Sequence, residues 1–459
     1  MKLSDNEKIV NFAGNIYNQG TINHRKFVFS SRDICKGRIL VLKRGNKKNI
    51  QNYIKEARSK GIRGIVTENN ILKDDINYDL PILNISNLSV KLNSFLDYIY
   101  SYPTKDMIKI GVTGTNGKTS TCLFLAQFLS NILPRRNIGV ITSDGNGVYP
   151  NLSSTYRTTP ENHLLYREYD KMRRKNVRIL IIECSSQGLH QGRLNSHSFD
   201  ISILTNIMRD HIEYHKNHAN YVDSKLRLLK MTTKYIFIDE SLKNLKIENN
   251  SAKKIFFKYS PTRKSINEPL IPRDLLIKFG KTFDQYSISK QDHYLSQLKH
   301  ISGRYQLVRG NKNEIYLIDY AHTSSSFLDI CKYAKSLLRS YFSDMKLLII
   351  FGCGGDRDKE KRITMASHAK KYADFIIVTD DNPRSEDPKK ITSQIKDALN
   401  MKNNFEIINN RKAAIRRSLD YARDKYLILL LGKGNESKII YKDREIYHND
   451  IKFVESLIK

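Results

Sequence analysis

Acidic residues are scarce in this 459-residue chain: 47 Asp and Glu stand against 78 Lys and Arg, a formal net charge of +31. Such a surplus favours polyanionic ligands in general, but composition alone does not say which. Much of it is Lys dispersed among Asn and Ile, so two explanations stand side by side: a biased residue supply on solvated surfaces, and a surface that captures anions. Cysteine is sparse too. The five thiols (Cys35, Cys122, Cys184, Cys331, Cys353) include no CxxC pair and are odd in number, which reads as reduced, mostly buried cysteines of a cytosolic protein. No apolar run reaches the ~18 residues of a membrane-spanning helix, so no membrane insertion is expected. The start, Met1 to Lys8, lacks the apolar stretch of a signal peptide, and a cytoplasmic location is expected. Repeats, heptads, helix-turn-helix, zinc-finger and RNA-binding signatures are missing as well, so no nucleic-acid partner is expected.

What is present is enough apolar material for packed cores, 40% hydrophobic and 10% aromatic. At about 100–200 residues per domain, the length suits two to four. Short continuous apolar runs predict strands at Met107–Val112, Arg178–Ile182, Ile201–Leu204, Tyr235–Ile238, Ile315–Ile318, Lys346–Phe351, Phe375–Val378 and Tyr426–Leu431. Helical patterns lie between, as at Lys118–Leu133, Ile363–Tyr372 and Ala413–Lys425. Runs of Ile, Leu and Val without alternation suit strands covered on both faces, so the fold class is α/β, with two successive doubly wound units. Residues 1–105 differ, with shorter strand candidates at Arg38–Leu42 and Gly64–Val66 and a helix near Ile50–Lys60. Boundaries are therefore expected near residues 106 and 302, and Glu240–Lys290 is too polar and weakly patterned to interpret.

The sharpest local signal is Gly114-Thr115-Asn116-Gly117-Lys118-Thr119-Ser120, a glycine-rich turn between a strand and a helix. Backbone N–H groups and a helix N-terminus there can surround a phosphate, because orphan donors and the helix dipole both favour negative charge. Lys118 would sit on the outer phosphates of ATP and Thr119 would offer its hydroxyl to Mg²⁺.

The spacing departs from GxxxxGK[ST] and resembles the form used by the Mur ligase family of ATP-dependent amide-bond ligases. Within it the chain is most similar to the MurE type, which adds the third residue of the peptidoglycan stem peptide. The resemblance covers most of the chain and is densest in 107–230 and 302–440. It implies three domains: an N-terminal α/β domain for the UDP-substrate (1–105), a central P-loop parallel-sheet ATPase domain (106–301), and a C-terminal Rossmann-like domain for the incoming amino acid (302–459). It implies carboxylate activation by ATP as an acyl phosphate, followed by attack of an amine. By the same resemblance Glu183 and His211 match the family's Mg²⁺-binding residues, and Lys225 matches the lysine that carbamylation by CO₂ turns into a further metal ligand. Ser31, Thr158, Thr159, Ser185, Gln191 and Arg193 match segments near UDP-MurNAc-L-Ala-D-Glu. Hydroxyls, an amide and an Arg suit a ligand rich in carboxylates and sugar hydroxyls.

In the last third, Arg304, Asp319 and His322 match residues that hold ATP from across the cleft, and an Arg supplied in this way acts only after closure. Arg357, Asn382, Arg384, Gly432 and Glu436 match the amino-acid pocket. The Asn382-Pro383-Arg384 form accompanies meso-diaminopimelate in the family. The physics agrees, since the distal carboxylate of that diamino acid offers Arg384 a bidentate partner that lysine lacks. Glu436 would accept from the distal ammonium. The chain also departs from the family. No Phe-Asn-x-x-Asn segment for the adenine stands around Pro269–Gly280, Ser324-Ser325 replaces Pro-Asp, and Gly432-Lys433-Gly434-Asn435-Glu436 has Asn in place of His. The main expectation is a monomeric ligase using ATP and Mg²⁺ to join meso-diaminopimelate to UDP-MurNAc-L-Ala-D-Glu in cell-wall precursor synthesis. A Mur-type ligase of another amine or carboxylate, or a nucleotide-binding relative without turnover, stands as the alternative.

Overall fold

In the computed structural model the described residues are all except 1–3, 20–21, 31–32, 43–46, 69–79, 156, 196–197, 250, 260–265, 267, 285–287 and 312. Three main sheets follow one another along the chain. The first is small and parallel, in the order Phe27–Val28, Ile39–Leu42, Gly64–Glu68, Ile82–Ile85. The second has eight strands. Lys253–Phe257, Thr232–Asp239, Phe199–Leu204, Ile108–Thr113, Val177–Glu183 and Asn137–Thr142 run parallel, and Gly145–Val148 and Asn151–Ser153 extend the edge as an antiparallel hairpin. The third is Gln306–Arg309, Ile315–Asp319, Tyr426–Leu431, Lys346–Phe351, Phe375–Val378 and Phe405–Ile407, parallel except for its first strand.

The strands with continuous apolar runs are the ones buried on both faces: Ile179 to Ile182, Leu347 to Phe351 and Leu427 to Leu431 are essentially inaccessible. The helix Lys118–Ile132 carries almost no polar face, and its residues from Thr121 to Leu129 are buried. It is sandwiched between the central sheet and the helices Arg273–Asp284 and Ile288–Ser296. Phe128 is fully buried there, and its truncation to Ala would cost about 3–5 kcal/mol.

One apolar cluster joins the first unit to the second: Ile9, Phe27, Phe95 and Ile99 pack in the same core as Leu165, Tyr166, Tyr169 and Leu194. The third unit keeps its own cores on the two faces of its sheet. Its contacts with the second unit include hydrogen bonds and ion pairs, such as Arg304 to Asp144 and Lys361 to Asp210.

The expected strands and helices appear within a few residues of their sequence bounds. Glu240–Lys290 contains a strand, Lys253–Phe257, the whole of the helix Arg273–Asp284 and the first turn of another, Ile288–Ser296. The strand was hidden because it lies at the sheet edge with Lys253, Lys254 and Phe256 exposed, so it reads as polar.

Candidate active site

The turn after the Ile108–Thr113 strand has two glycines where only glycine fits. Gly114 has φ +152, and a Cβ there would meet Thr205 Oγ1 at 1.9 Å; Gly117 has φ +79, and a Cβ there would meet Tyr259 Oη at 1.9 Å. Asn206 shapes the loop: its Oδ1 accepts from the N–H of Thr115 (3.2 Å) and of Asn116 (2.9 Å). The helix that follows has no side-chain cap, so its first-turn N–H groups remain available to an anion. Lys118 is held beside the turn, its Nζ donating to Thr115 O at 2.8 Å.

The strand end Val177–Glu183 lies next to this loop in the sheet. Thr119 Oγ1 donates to Glu183 Oε2 at 2.9 Å, and Ser143 N–H donates to the same oxygen at 3.0 Å. A buried carboxylate beside a hydroxyl at a phosphate loop is a hard-oxygen donor set, and it fits Mg²⁺ shared with nucleotide phosphates.

Lys225 is fully enclosed in the helix His218–Lys230. Its Nζ donates to Gly114 O at 2.6 Å and lies 4.4 Å from the centre of the Tyr221 ring. Burial, and then the charge of Lys118, push its pKa well below the usual lysine range. His211 caps the short helix Ile212–His215 with φ +51, a left-handed conformation that costs a non-glycine residue strain. Burial lowers its imidazole pKa to about 4 against the pull of Asp210, which leaves a neutral ring capable of ligating a metal. Asp210 is the reverse case. Burial works to raise its pKa, but His211 and Lys361 outweigh it and hold the carboxyl below the ordinary range.

Lys118, Thr119, Glu183, His211 and Lys225 line a cleft of about 1320 Å³. On one side of the loop are Thr158, Thr159, Ser185, Gln191 and Arg193. Two of them are turned inward: Thr159 Oγ1 donates to Glu183 O (2.7 Å) and accepts from Ser185 N–H (2.9 Å). The Arg193 guanidinium donates to Gln191 Oε1 and to Thr159 O. Tyr214, not singled out in the sequence, accepts from Gln191 Nε2 at 2.9 Å and so helps fix that pair. On the other side, Tyr259, Pro269, Leu270, Pro272, His300, Ile301 and Tyr305 form a wall of rings and aliphatic groups, where the family's asparagine segment has no counterpart. Ser31 lies outside the described residues.

From the third unit come Arg304, Asp319 and His322. Arg304 donates to Asp144 Oδ1 at 3.2 Å and stacks over Tyr320 at 4.3 Å, while its buried Nε has no partner among the described residues. Asp319 accepts from the N–H groups of Tyr305 and Ala321, both at 2.8 Å. Ser325 Oγ accepts from Asn116 Nδ2 at 3.0 Å, so one of the two serines that replace Pro-Asp touches the phosphate loop.

A second hollow of about 150 Å³ holds Arg357, Asn382, Arg384, Gly432 and Glu436 together, and shares His211, Tyr320, His322 and Arg357 with the main cleft. Arg384 is anchored by donation to Gly355 O at 2.8 Å. Glu436 accepts from Asn382 Nδ2 (2.9 Å), Tyr320 Oη (3.0 Å) and Lys433 Nζ (2.5 Å). Lys433, buried between two glycines and easily passed over in the sequence, is the cation on which this pocket is built.

Comparison with known proteins agrees with this geometry. Residues 112–294 match the Mur ligase middle domain, and residues 303–434 match the Mur ligase glutamate ligase domain. A UDP-N-acetylmuramoyl-L-alanyl-D-glutamate–2,6-diaminopimelate ligase of Wigglesworthia glossinidia brevipalpis is 31% identical, over 94% of this chain and 94% of its own. A solved structure of a ligase of that name has a TM-score of 0.59 at 24% identity, covering 96% of this chain and 95% of the other. The MurF ligase of Thermotoga maritima in complex with ADP has a TM-score of 0.61 at 14% identity, covering 94% and 96%. At these identities the two structural matches bear on the fold alone.

Proposed function

Because the chain belongs to the Mur ligase family, we propose that it joins meso-diaminopimelate to the D-glutamyl γ-carboxylate of UDP-MurNAc-L-Ala-D-Glu, using ATP and Mg²⁺, in the cytoplasm. The observation that carries this is the continuity of the two hollows: the phosphate loop and the Arg384–Glu436 pocket meet at His211, Tyr320, His322 and Arg357. An acyl phosphate made at the loop is then within reach of an amine held by the pocket. We assign residues 1–105 to the UDP-substrate, 106–301 to ATP and 302–459 to the amino acid. The ligase is taken to act as a monomer.

The γ-carboxylate oxygen attacks the γ-phosphorus of ATP and ADP leaves; the amine then attacks the acyl carbon and inorganic phosphate leaves. Lys118, the uncapped helix N-terminus and Arg304 bind the phosphates, and the buried Nε of Arg304, without a partner among the described residues, is a donor for them. Thr119, Glu183 and His211 would hold Mg²⁺, with Lys225 added once carbamylated; when bound, the ion offsets repulsion between ATP and the carboxylate. The lowered pKa of Lys225 favours the neutral amine that reacts with CO₂. Asp319 and His322 face the nucleotide, and Thr158, Ser185, Gln191 and Arg193 face the sugar-peptide. Arg384 pairs with the distal carboxylate of the diamino acid, while Asn382 and Glu436 take its ammonium. The test is phosphate release with UDP-MurNAc-dipeptide and ATP, on adding diaminopimelate or lysine. Diaminopimelate-dependent release is expected. No release with any diamino acid refutes the ligase, and preference for lysine refutes the role of Arg384.

A further inference from the structure

We propose that Lys361 is a positioning residue: through Asp210 it ties the seating of the third unit to the placement of His211. The inference rests on the ligase activity proposed above. Asp210 is 4% exposed and sits between two groups, with Lys361 Nζ 2.6 Å from Oδ1 and His211 Nε2 3.4 Å from Oδ2. Lys361 belongs to the helix Glu360–Tyr372, whose N-terminus follows the glycine-rich loop bearing Arg357. Asp210 and His211 belong to the loop after the Phe199–Leu204 strand of the central sheet. The pair therefore crosses the gap between the units where the two hollows meet, and Lys361 and His211 both line the smaller one.

Its neighbour does not share the work. Arg209 and Glu360 span the same gap at 3.7 Å, but both are about three-quarters exposed, so water screens them. Asp210 is different: with the third unit seated it is shielded from water, and Lys361 is the cation in direct contact with it across the gap. The backbone at His211 lies in the left-handed region, a conformation that persists only where its surroundings hold it. The Lys361–Asp210–His211 chain supplies that hold once the third unit is seated. The nucleotide half of the site thus reaches its working shape together with the amine pocket.

The experiment compares the full-length wild type with Lys361→Met, Lys361→Arg, Asp210→Asn and the double variant Lys361→Met/Asp210→Asn. Three quantities are read: steady-state ligation, the Mg²⁺ concentration for half-maximal rate, and the small-angle scattering radius with a non-hydrolysable ATP analogue and UDP-MurNAc-dipeptide. The Met variant should lose about 10–100-fold in kcat and need about 10-fold more Mg²⁺, the usual scale for removing the partner of a metal-binding side chain. Its KM for ATP should stay within about 3-fold, since no phosphate-loop group is touched. The ligand-induced contraction of the wild type should be lost in the Met variant and retained by Arg. The double variant should be no worse than the Met variant, because the two residues act in one chain. A Met variant that contracts as the wild type does overturns the proposal, whatever its rate. So does an Asp210→Asn variant with normal contraction and Mg²⁺ requirement, which also decides the matter if the Met variant does not fold. A wild type without ligase activity would overturn the underlying function instead, leaving contraction to decide the clasp.

Discussion

Replacing Lys433 by Met keeps the length of a buried side chain and removes its charge. The ammonium is inaccessible and donates to Asn382 Oδ1 at 2.9 Å, to Glu436 Oε2 at 2.5 Å and to Lys438 O, with Asp381 Oδ1 3.8 Å away. Asp381 Oδ1 has no hydrogen bond among the described residues, so this cation is the main compensation for its charge. Glu436 tells the same story: burial works to raise its pKa, yet Lys433 holds it below the ordinary range. Taking one partner from a buried ion pair typically costs about 3–5 kcal/mol. For a unit of roughly 150 residues each kcal/mol lowers Tm by about 2–4 °C, so the third unit should melt about 6–20 °C earlier in calorimetry of the whole chain. Asn382 and Glu436 also lose their common anchor, and the KM for the diamino acid should rise by about 10-fold or more, one charge-assisted hydrogen bond's worth. Adding Glu436→Gln to Lys433→Met removes an uncompensated carboxylate and should restore about 1 kcal/mol or more of stability, while leaving amine binding poor. A Met variant melting within a degree of the wild type, or a double variant less stable than the single, would refute the claim that this cation organises the pocket.

Arg384→Ala should raise the KM for diaminopimelate about 10–100-fold, the loss of a charge-assisted pair, with ATP binding by calorimetry unchanged; lost ATP binding would mean that the loop serves the nucleotide. Lys118→Ala should abolish ATP-dependent phosphate release, and an active variant would overturn the phosphate-loop assignment. The third unit should lose stability in acid. Burial works to raise the Asp450 carboxyl, but Arg411 and His448 hold it at about 2, below its ordinary 3.8. A depressed carboxylate stabilises the fold above its unfolded pKa, so roughly 2 kcal/mol present above pH about 4 should vanish as pH falls to about 2. Urea midpoints between pH 5 and pH 2.5 should show this loss in the wild type and a smaller one in Asp450→Asn.

What the chain displays locally was legible in its sequence, and what it assembles across space was not. The phosphate loop is contiguous, and its glycines are required by the close approach of Thr205 and Tyr259, so residue type and spacing were sufficient. Strands such as Lys346–Phe351 were legible because burial on both faces leaves an unbroken apolar run. Asn137–Thr142, equally buried, was passed over because it leads into a hairpin carrying Gly145 and Gly147 in extended positive-φ conformations, which read as a loop. In the first unit, Phe27–Val28 is too short and Ile82–Ile85 too exposed to declare a strand. The site followed the same division. Glu183, His211 and Arg384 lie in motifs that the sequence displays and line the two hollows, whereas Asp144 and Lys361 take their meaning from partners that no periodicity links to them. Asp144 and Arg304 are 160 positions apart, and Lys361 and Asp210 are 151.

The two joints between units differ in kind, and that difference bears on which part moves. The first unit shares an apolar core with the second, and Asn93 of its helix Leu88–Ile99 is hydrogen-bonded to the backbone around Arg193. Separating them would expose Phe27, Phe95 and Tyr166 to water, at about 25 cal/mol for each Å² of apolar surface, so the wall of the cleft that carries Thr159 and Arg193 is held fixed. The joint to the third unit has no comparable shared core among the described residues, although the half-buried Ile266 packs against that unit. Its polar contacts, Arg304 to Asp144, Ser325 to Asn116 and Lys361 to Asp210, can exchange partners with water at far smaller net cost than an apolar core can. The third unit is therefore the one able to swing, carrying Arg304 and the Arg384 pocket away from a fixed phosphate loop. That freedom is what a 1320 Å³ cleft needs if two bulky anionic substrates are to enter it before its last arginine closes on them.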